Sequence, residues 1–176
     1  MKIIAFAAVT GGGKTTLVSE LLRRLPNAAS LHFDDYTFEG EVENFGQWVK
    51  DGADYEVWNL SPLIKDIQAL QAKSAYDYLL LDYPFAYCHS ALRPYIHCAI
   101  FLDTPLDIAM ARRVLRDMTD ASADDIRREM EHYLTRAQSA SLQMLKDILP
   151  SSDHVLDGAK PLGDLVEDAL CILSAL

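Results

Sequence analysis

The apolar residues of this chain follow two patterns: short continuous runs, and segments in which they recur every three or four positions. The runs KIIAFAAV, YDYLLLDYPF and HCAIFLD have strand length and few polar residues, which is typical of strands buried on both faces of a sheet. The shorter run ASLHF predicts another strand, which ends at Asp34, and HVLDG predicts a short last strand. The pattern therefore predicts five strands.

Helical periodicity fills the segments between these runs. The first helix spans 14–25, and two later helices begin with a capping hydroxyl followed by proline, at Ser61 and at Thr104. An acidic and aromatic insert over 39–59 has no clear period and predicts irregular or short helical structure. The helix from Thr104 is followed by two others, so that the last three predicted helices span 104–116, 123–149 and 162–176.

This order of elements predicts a fold class. Strands that alternate with helices form a parallel sheet with right-handed crossovers and helices on both faces, so we expect a three-layer α/β domain over 1–176. Ligands of such sheets bind at the carboxyl ends of the strands. That rule places the glycine run at 11–13, Asp34, Asp82 and the turn near Asp103 at one edge.

Amino-acid composition and net charge limit which partners and which cellular location are expected. The net charge of −10 argues against nucleic acid and anionic membranes as partners, because both require a basic surface. The apolar run over 3–9 is too short to span a bilayer and is not followed by a signal-peptide cleavage site. Three cysteines without framework spacing fit reduced thiols. We therefore expect a cytoplasmic protein. As to oligomeric state, a monomer and a homodimer are both open.

The loop AVTGGGKTT, between the first strand and the first helix, carries the strongest chemical signal. It fits the Walker A pattern, with Ala8 where the usual form has glycine. Glycine lets backbone N–H groups approach phosphate, and the helix N-terminus adds positive charge. Lys14 is expected to reach the β- and γ-phosphates of ATP, and the Thr15 hydroxyl to bind Mg²⁺. The predicted nucleotide ligands in this loop are Gly11, Gly12, Gly13, Lys14, Thr15 and Thr16.

Two acidic positions follow predicted strands. Asp82 ends the run YLLLD and has the expected form of a Walker B acid, which orders Mg²⁺ or its waters. Asp34 and Asp35 follow ASLHF. A carboxylate there could orient an attacking hydroxyl and accept its proton. Because adjacent strand residues point to opposite sides, we expect only one of the two to face the site; a turn or helix cap is the alternative explanation.

Arginines are concentrated in the segment ARRVLRD. Arg112 and Arg116 are four residues apart and share a helix face, with Arg113 beside them. Arginine suits phosphate because its guanidinium can bind bidentately and spread developing negative charge. We therefore expect phosphate contacts from this group. The later arginines are expected to pair with nearby acids on a solvated face; they are Arg127, Arg128 and Arg136.

Together these motifs resemble the uridine kinase and phosphoribulokinase-like group of P-loop kinases, and within it the nicotinamide riboside kinases. The similarity covers nearly the whole chain and runs through KTTL, RLPNAASLHFDDY, YEVWNLSPLIKDI, LLLDYPF, FLDTPLDIAMARRVLRD and VLDGAKPLGDLVEDAL. It implies a P-loop NTPase fold with about five parallel strands, a small lid over about 112–128 and a substrate-side insert over about 36–60. It also implies ATP and Mg²⁺ as cofactors.

The resemblance implies roles for single residues around the phosphates. Asp34 corresponds to the catalytic aspartate of the family, and Asp82 stands where the family carries an acidic residue, usually glutamate, near Mg²⁺. Arg112 and Arg116 belong to the lid that closes over the ATP phosphates, with Arg116 and Lys14 serving catalysis.

On the acceptor side, the resemblance implies three further contacts. Arg113 matches an arginine that contacts the substrate sugar. Tyr55 and Glu56 fall where riboside kinases carry Tyr-Asp, whose carboxylate binds ribose hydroxyls. The carboxylate is one methylene longer in this chain, and DMTDASADD replaces the glycine- and proline-containing lid of the family.

The expected function is ATP- and Mg²⁺-dependent phosphoryl transfer to a hydroxyl of a small molecule, such as a nucleoside or riboside. The aromatic insert could stack on a flat acceptor, although aromatic residues of so small a domain also serve as core. The alternative is a P-loop ATPase or nucleotide switch that acts through a protein partner. The guanine motif Asn-Lys-x-Asp and the segment Leu-Ser-Gly-Gly, which mark two such classes, are both absent from the sequence.

Overall fold

A computed structural model describes all residues from 1 to 176. Its centre is one sheet of five parallel strands, which confirms the predicted α/β fold class. The strand bounds are β1 Lys2–Ala7, β2 Ala28–His32, β3 Tyr78–Asp82, β4 Cys98–Asp103 and β5 His154–Asp157. The strands lie in the order β2-β3-β1-β4-β5. Since β1 lies between β3 and β4, the loop that follows β1 emerges in the middle of the sheet.

Seven α-helices connect and cover the strands. Short 3₁₀ turns add Phe33–Asp35 after β2, Tyr55–Val57 inside the insert and Arg93–Tyr95 before β4. The insert contains only a short helix and a 3₁₀ turn, as its lack of period predicted. The helix bounds are α1 Lys14–Arg24, α2 Phe45–Lys50, α3 Ser61–Lys73, α4 Leu106–Asp117, α5 Ala123–His132, α6 Gln138–Asp147 and α7 Leu162–Ala175.

The sheet separates two apolar cores. Along β1, Ile3 and Ala5 point into one core, whereas Ile4 and Phe6 point into the other, because successive strand residues face opposite sides. The first core holds the insert, α3 and Ile148, and the second holds α1 and α7. Burial on both faces explains why the central strands read as continuous apolar runs.

The long helical stretch predicted over 123–149 is present as α5, a π-helical turn, Tyr133–Ala137, and α6, which follow one another without a break. Two other predictions were wrong. β2 stops at His32, so the aspartate pair lies in a 3₁₀ turn rather than at a strand end. The predicted hydroxyl caps also fail: Leu60 and Pro105 are the N-cap residues of α3 and α4, and neither helix has a side-chain cap. Periodicity locates a helix but leaves its ends uncertain by a residue or two.

None of the helices is both long enough and apolar enough to cross a membrane.

Candidate functional site

A cavity of about 480 Å³ lies over the carboxyl ends of the strands, where the fold class predicted the site. We call it the loop cavity. Its polar wall combines the glycine loop with both predicted acids, Asp34 and Asp82, and with two arginines of α4, Arg112 and Arg116. Its apolar wall consists of Ala8, Phe33, Phe45, Trp58, Pro84, Phe85 and Met144. The fold therefore brings the predicted nucleotide ligands and Asp34 into one site.

Two glycines of the loop adopt backbone conformations that favour glycine. Gly11 and Gly13 adopt positive φ angles of 79° and 98°, which L side chains rarely adopt. A Cβ atom on Gly11 would also lie 2.1 Å from the carbonyl oxygen of Ala109 in α4. Ala8 is fully buried and has no positive φ, so alanine is accommodated at the first position of the motif.

Thr104 anchors this loop from the end of β4. Its hydroxyl is buried and donates a hydrogen bond of 2.9 Å to the carbonyl oxygen of Gly12. The residue predicted to cap α4 thus serves the glycine loop. A hydroxyl residue before proline is the same sequence signal in both cases, so the sequence cannot distinguish a helix cap from a contact with the glycine loop.

The loop presents unpaired backbone donors to the cavity. The N–H groups of Gly13, Lys14 and Thr15 donate to no backbone carbonyl or side-chain acceptor of the chain. These groups precede or open α1, and the first N–H groups of a helix have no partner within it. Because they line the cavity together with the Lys14 ammonium, they form a cradle that fits a phosphate group.

Three side chains contact the buried Asp82 carboxylate, which is 5% exposed. The Thr15 hydroxyl donates to Oδ2 of Asp82 over 2.5 Å, and Nζ of Lys14 lies 3.6 Å from Oδ1. Nδ1 of His32 lies 3.3 Å from the same Oδ2, and Nε2 of His32 lies 3.1 Å from the Ser30 hydroxyl. The loop and two neighbouring strands are therefore linked through one carboxylate.

This donor set fits Mg²⁺. A hydroxyl and a carboxylate are hard oxygen ligands, and Mg²⁺ in nucleotide sites takes one or two protein oxygens together with phosphate oxygens and waters. Thr15 and Asp82 supply two such oxygens 2.5 Å apart. No group of three or more His, Cys, Asp or Glu side chains forms a metal cage in this structure. A metal here would depend on phosphate as a ligand.

Asp34 and Asp35 differ in their surroundings. Both lie in the 3₁₀ turn after β2, where successive side chains point about 120° apart. Asp34 lines the loop cavity, whereas Asp35 does not. The expectation that only one of the pair faces the site agrees with this placement, although the reason is turn geometry and not strand alternation.

Two of the three arginines of α4 line the loop cavity. Arg112 lines the loop cavity and donates 2.9 Å to the carbonyl oxygen of Gly158, in the loop after β5. Arg116 lines the same cavity and holds Asp117 through two hydrogen bonds of 2.6 and 2.9 Å. These bonds, assisted by the nearby Asp34 charge, raise the pKa of the Arg116 guanidinium above its ordinary value.

Arg113 lies outside the loop cavity. Its guanidinium pairs with Glu129 of α5 at 2.7 Å and approaches Asp117 at 3.9 Å. It lines a second cavity of about 410 Å³, which we call the side cavity. The segment 112–128, predicted to be a lid, covers the end of α4, a short connection and the start of α5. Arg113 of this segment pairs with Glu129, one residue beyond it.

The side cavity adjoins the loop cavity, because Thr10, Phe45, Phe85 and Met144 line both. It is mostly apolar, and α4, α5 and α6 form much of its wall. Polar side chains in its lining are Thr10, Glu43, Arg113, His132, Tyr133 and Ser141. The sequence did not reveal this cavity, since it forms between segments that are distant along the chain.

Tyr55 and Glu56 line neither cavity. Both oxygens of Glu56 accept hydrogen bonds from Ser90, from its N–H over 2.7 Å and from its hydroxyl over 2.8 Å. Burial raises the pKa of the Glu56 carboxyl, but the Ser90 bonds outweigh it and hold that pKa below its ordinary value. Tyr55 is buried, and its hydroxyl donates to Asp147. The structure does not bring this pair to the site, and the predicted acceptor contact stays a prediction.

Sequence comparison relates the chain to uridine kinases at low identity. A uridine kinase of Escherichia coli is 24% identical over an alignment of 202 positions, which covers 98% of this chain and 92% of the relative. A uridine kinase of Vibrio campbellii is 33% identical over 84 residues, which are 48% of this chain and 37% of the relative. No protein-family model matches the chain.

Solved structures of small-molecule kinases share the fold. A sugar kinase of Janibacter has a TM-score of 0.60 at 18% identity, over 99% of this chain and 95% of the neighbour. A shikimate kinase of Aquifex aeolicus has a TM-score of 0.52 at 15% identity, over 98% and 96%. A deoxyadenosine kinase of M. mycoides has a TM-score of 0.53 at 14% identity, over 99% and 100%. At these identities the likeness concerns the fold.

Proposed function

Because this chain has the fold of the P-loop kinases, we propose that it transfers the γ-phosphoryl group of ATP to a hydroxyl group of a small molecule. The observation that carries the proposal is the convergence of the glycine cradle, Asp34, Asp82 and two arginines on one cavity. Kinases that act on small molecules are also what the sequence relatives and the structural neighbours have in common.

On the donor side, the loop binds the ATP phosphates. The unpaired N–H groups of Gly13, Lys14 and Thr15 supply hydrogen bonds, and the N-terminus of α1 supplies partial positive charge. Lys14 releases Asp82 and binds the β- and γ-phosphate oxygens. Gly11 and Gly12 let the backbone approach the anion, and Thr16 extends the cradle into the first turn of α1.

Thr15 and Asp82 would hold Mg²⁺, which neutralises charge on the phosphate oxygens when it is bound. The Thr15 hydroxyl and the Asp82 carboxylate already lie within hydrogen-bond distance of each other, so both can contribute without rearrangement of the backbone. Asp82 ends β3 beside β1 and is held by the ladder on both sides of its strand.

Asp34 faces the cavity from the turn after β2 and is the proposed catalytic carboxylate. It would orient the acceptor hydroxyl and accept its proton as the new bond to phosphorus forms. Arg116 and Arg112 line the same cavity, and their guanidinium groups would stabilise the negative charge of the group in transfer. Closure of the lid would exclude water as a competing acceptor.

The acceptor is proposed to be a nucleoside or a similar molecule that carries a flat ring. Phe33, Phe45, Trp58 and Phe85 form an aromatic wall of the loop cavity that Asp34 also lines. The adjoining side cavity continues this apolar surface, and its polar groups could select among ring substituents. If the acceptor hydroxyl is held at Asp34, the rest of the acceptor would contact these aromatic and apolar surfaces.

The first test measures ADP release against a panel of nucleosides, riboside vitamins, sugars and pantothenate-like alcohols. We expect little ATP turnover without an acceptor and a large increase with one ring-bearing compound, because the closed site favours the bound hydroxyl over water. The phosphorylated product is identified by mass spectrometry. ATP turnover that ignores the whole panel would contradict the kinase and favour an ATPase that depends on a protein partner.

A second test fills the side cavity. Ala140 lines it on α6 and takes no part in the loop cavity. Ala140→Phe is expected to lower kcat/KM for the ring-bearing acceptor by about tenfold or more, since displaced apolar contacts change specificity on this scale. The KM for ATP should not change.

Ala72→Phe is the matched control for this variant, because Ala72 is exposed on α3 and lines neither the loop cavity nor the side cavity. Steady-state kinetics with each substrate varied in turn gives both constants. An Ala140→Phe enzyme with unaltered acceptor kinetics would exclude the side cavity from acceptor binding.

A further inference from the structure

We propose that His32 is a positioning residue, which holds the Asp82 carboxylate in its working orientation while Ser30 fixes the imidazole. The inference rests on the proposed function, because it concerns how Asp82 is held when ATP is bound. Neither Ser30 nor His32 lines the loop cavity, so both act through Asp82 and not on a substrate.

The hydrogen bonds around His32 define its tautomer. A carboxylate only accepts hydrogen bonds, so Nδ1 of His32, 3.3 Å from Oδ2 of Asp82, must carry the proton. In the neutral imidazole, Nε2 then accepts a hydrogen bond from the Ser30 hydroxyl at 3.1 Å. The result is a series of two hydrogen bonds, in which Ser30 donates to His32 and His32 donates to Asp82.

The sheet holds this chain in place. Ser30 and His32 are two residues apart on β2 and therefore face the same side of the strand. His32 is also the residue of β2 that pairs with Asp82 of β3 in the parallel ladder. The imidazole and the carboxylate are consequently neighbours through backbone register, and do not depend on the conformation of the glycine loop.

The three partners of Asp82 are expected to respond differently when ATP binds: two leave the carboxylate and His32 stays. Lys14 and Thr15 belong to the loop, and the proposed function moves the Lys14 ammonium to phosphate and the Thr15 hydroxyl to Mg²⁺. Asp82 is 5% exposed and would then keep one protein partner, His32. Groups that orient a metal-binding carboxylate in this way commonly affect metal affinity by about 10- to 100-fold.

The test compares His32→Leu, which removes both hydrogen bonds, with His32→Asn, whose amide can still donate to Asp82. For each variant, isothermal titration measures ATP affinity with Mg²⁺ and in EDTA, and kinetics measure the Mg²⁺ concentration for half-maximal rate. We expect His32→Leu to need about tenfold more Mg²⁺ and to lose the Mg²⁺-dependent part of ATP affinity, with unchanged affinity in EDTA. His32→Asn should restore most of the loss.

Ser30→Ala and His154→Leu complete the series. Ser30→Ala frees the imidazole but leaves its bond to Asp82 possible, so a smaller change in the Mg²⁺ requirement, about two- to threefold, is expected. His154 is exposed at the start of β5, and its replacement should change nothing. Thermal unfolding of each variant measures any loss of fold, and Ser30→Ala and His32→Asn carry the test if His32→Leu does not fold.

Two results would overturn the positioning role: a wild-type Mg²⁺ requirement in His32→Leu, or equal impairment of the Asn and Leu variants. The binding measurements use no acceptor. They therefore test His32 even if the acceptor panel shows that the proposed transfer does not occur.

Discussion

Asp34→Asn is expected to abolish phosphoryl transfer while ATP binding survives. The amide keeps the size and polarity of the side chain but cannot accept the proton of the acceptor hydroxyl, and a positioned base contributes about 10²- to 10⁴-fold. Asp34 makes no hydrogen bond that holds the fold and lies exposed in its turn, so the variant should fold normally. The measurement combines ADP release with the identified acceptor and titration calorimetry with ATP.

Asp35→Asn is the matched control for this experiment. It makes the same chemical change one residue along the same 3₁₀ turn, at a side chain that does not line the loop cavity. We expect it to retain most of the wild-type rate. Full activity in Asp34→Asn would refute the assignment of the base, and loss of activity in Asp35→Asn alone would move the base to its neighbour.

Lys14→Ala is expected to weaken ATP binding and to lower kcat by about 10²- to 10³-fold, the range seen when one preorganised donor to a developing charge is removed. The ammonium is largely buried at the floor of the loop cavity, and no other lysine lines this cavity. Removal of Lys14 also deprives Asp82 of one partner, although Thr15 and His32 remain. Calorimetric titration with ATP and the ADP-release rate measure the two effects separately.

Lys160→Ala controls for the loss of a lysine as such. Lys160 pairs with Asp168 on the surface, and exposed ion pairs of this kind contribute little to stability. Its replacement should alter neither ATP affinity nor rate. If Lys14→Ala bound and turned over ATP like the wild type, the loop would not be a phosphate cradle.

The site residues differ in how far local sequence could predict them. The glycine loop and Asp82 are defined by short motifs next to strands, and the structure places both in the loop cavity. Glu56 was assigned by resemblance, yet its carboxylate is held by Ser90, which lies 34 residues further along the chain. A motif gives the identity of a residue, whereas its hydrogen-bond partner depends on which distant segment packs beside it.

His32 is a residue of the site that the sequence analysis did not identify. As one polar residue in a short strand, it carried no chemical signal in the sequence. Its contact with Asp82 arises because β2 pairs with β3 in a register that aligns these two residues. Register follows from side-chain packing across the sheet, which a single strand does not encode.

The alternation of strands and helices, the phosphate loop and the acids that follow strands could be predicted from short stretches of sequence, because each depends on a few consecutive residues. The strand order β2-β3-β1-β4-β5 depends on packing between distant segments, and so does the meeting of the loop with Asp82 and Asp34 in one cavity. Tertiary packing also determines which of Asp34 and Asp35 faces that cavity, which arginines line it and where the side cavity lies. These features require contacts between segments far apart along the chain, and such contacts form only when all layers pack together.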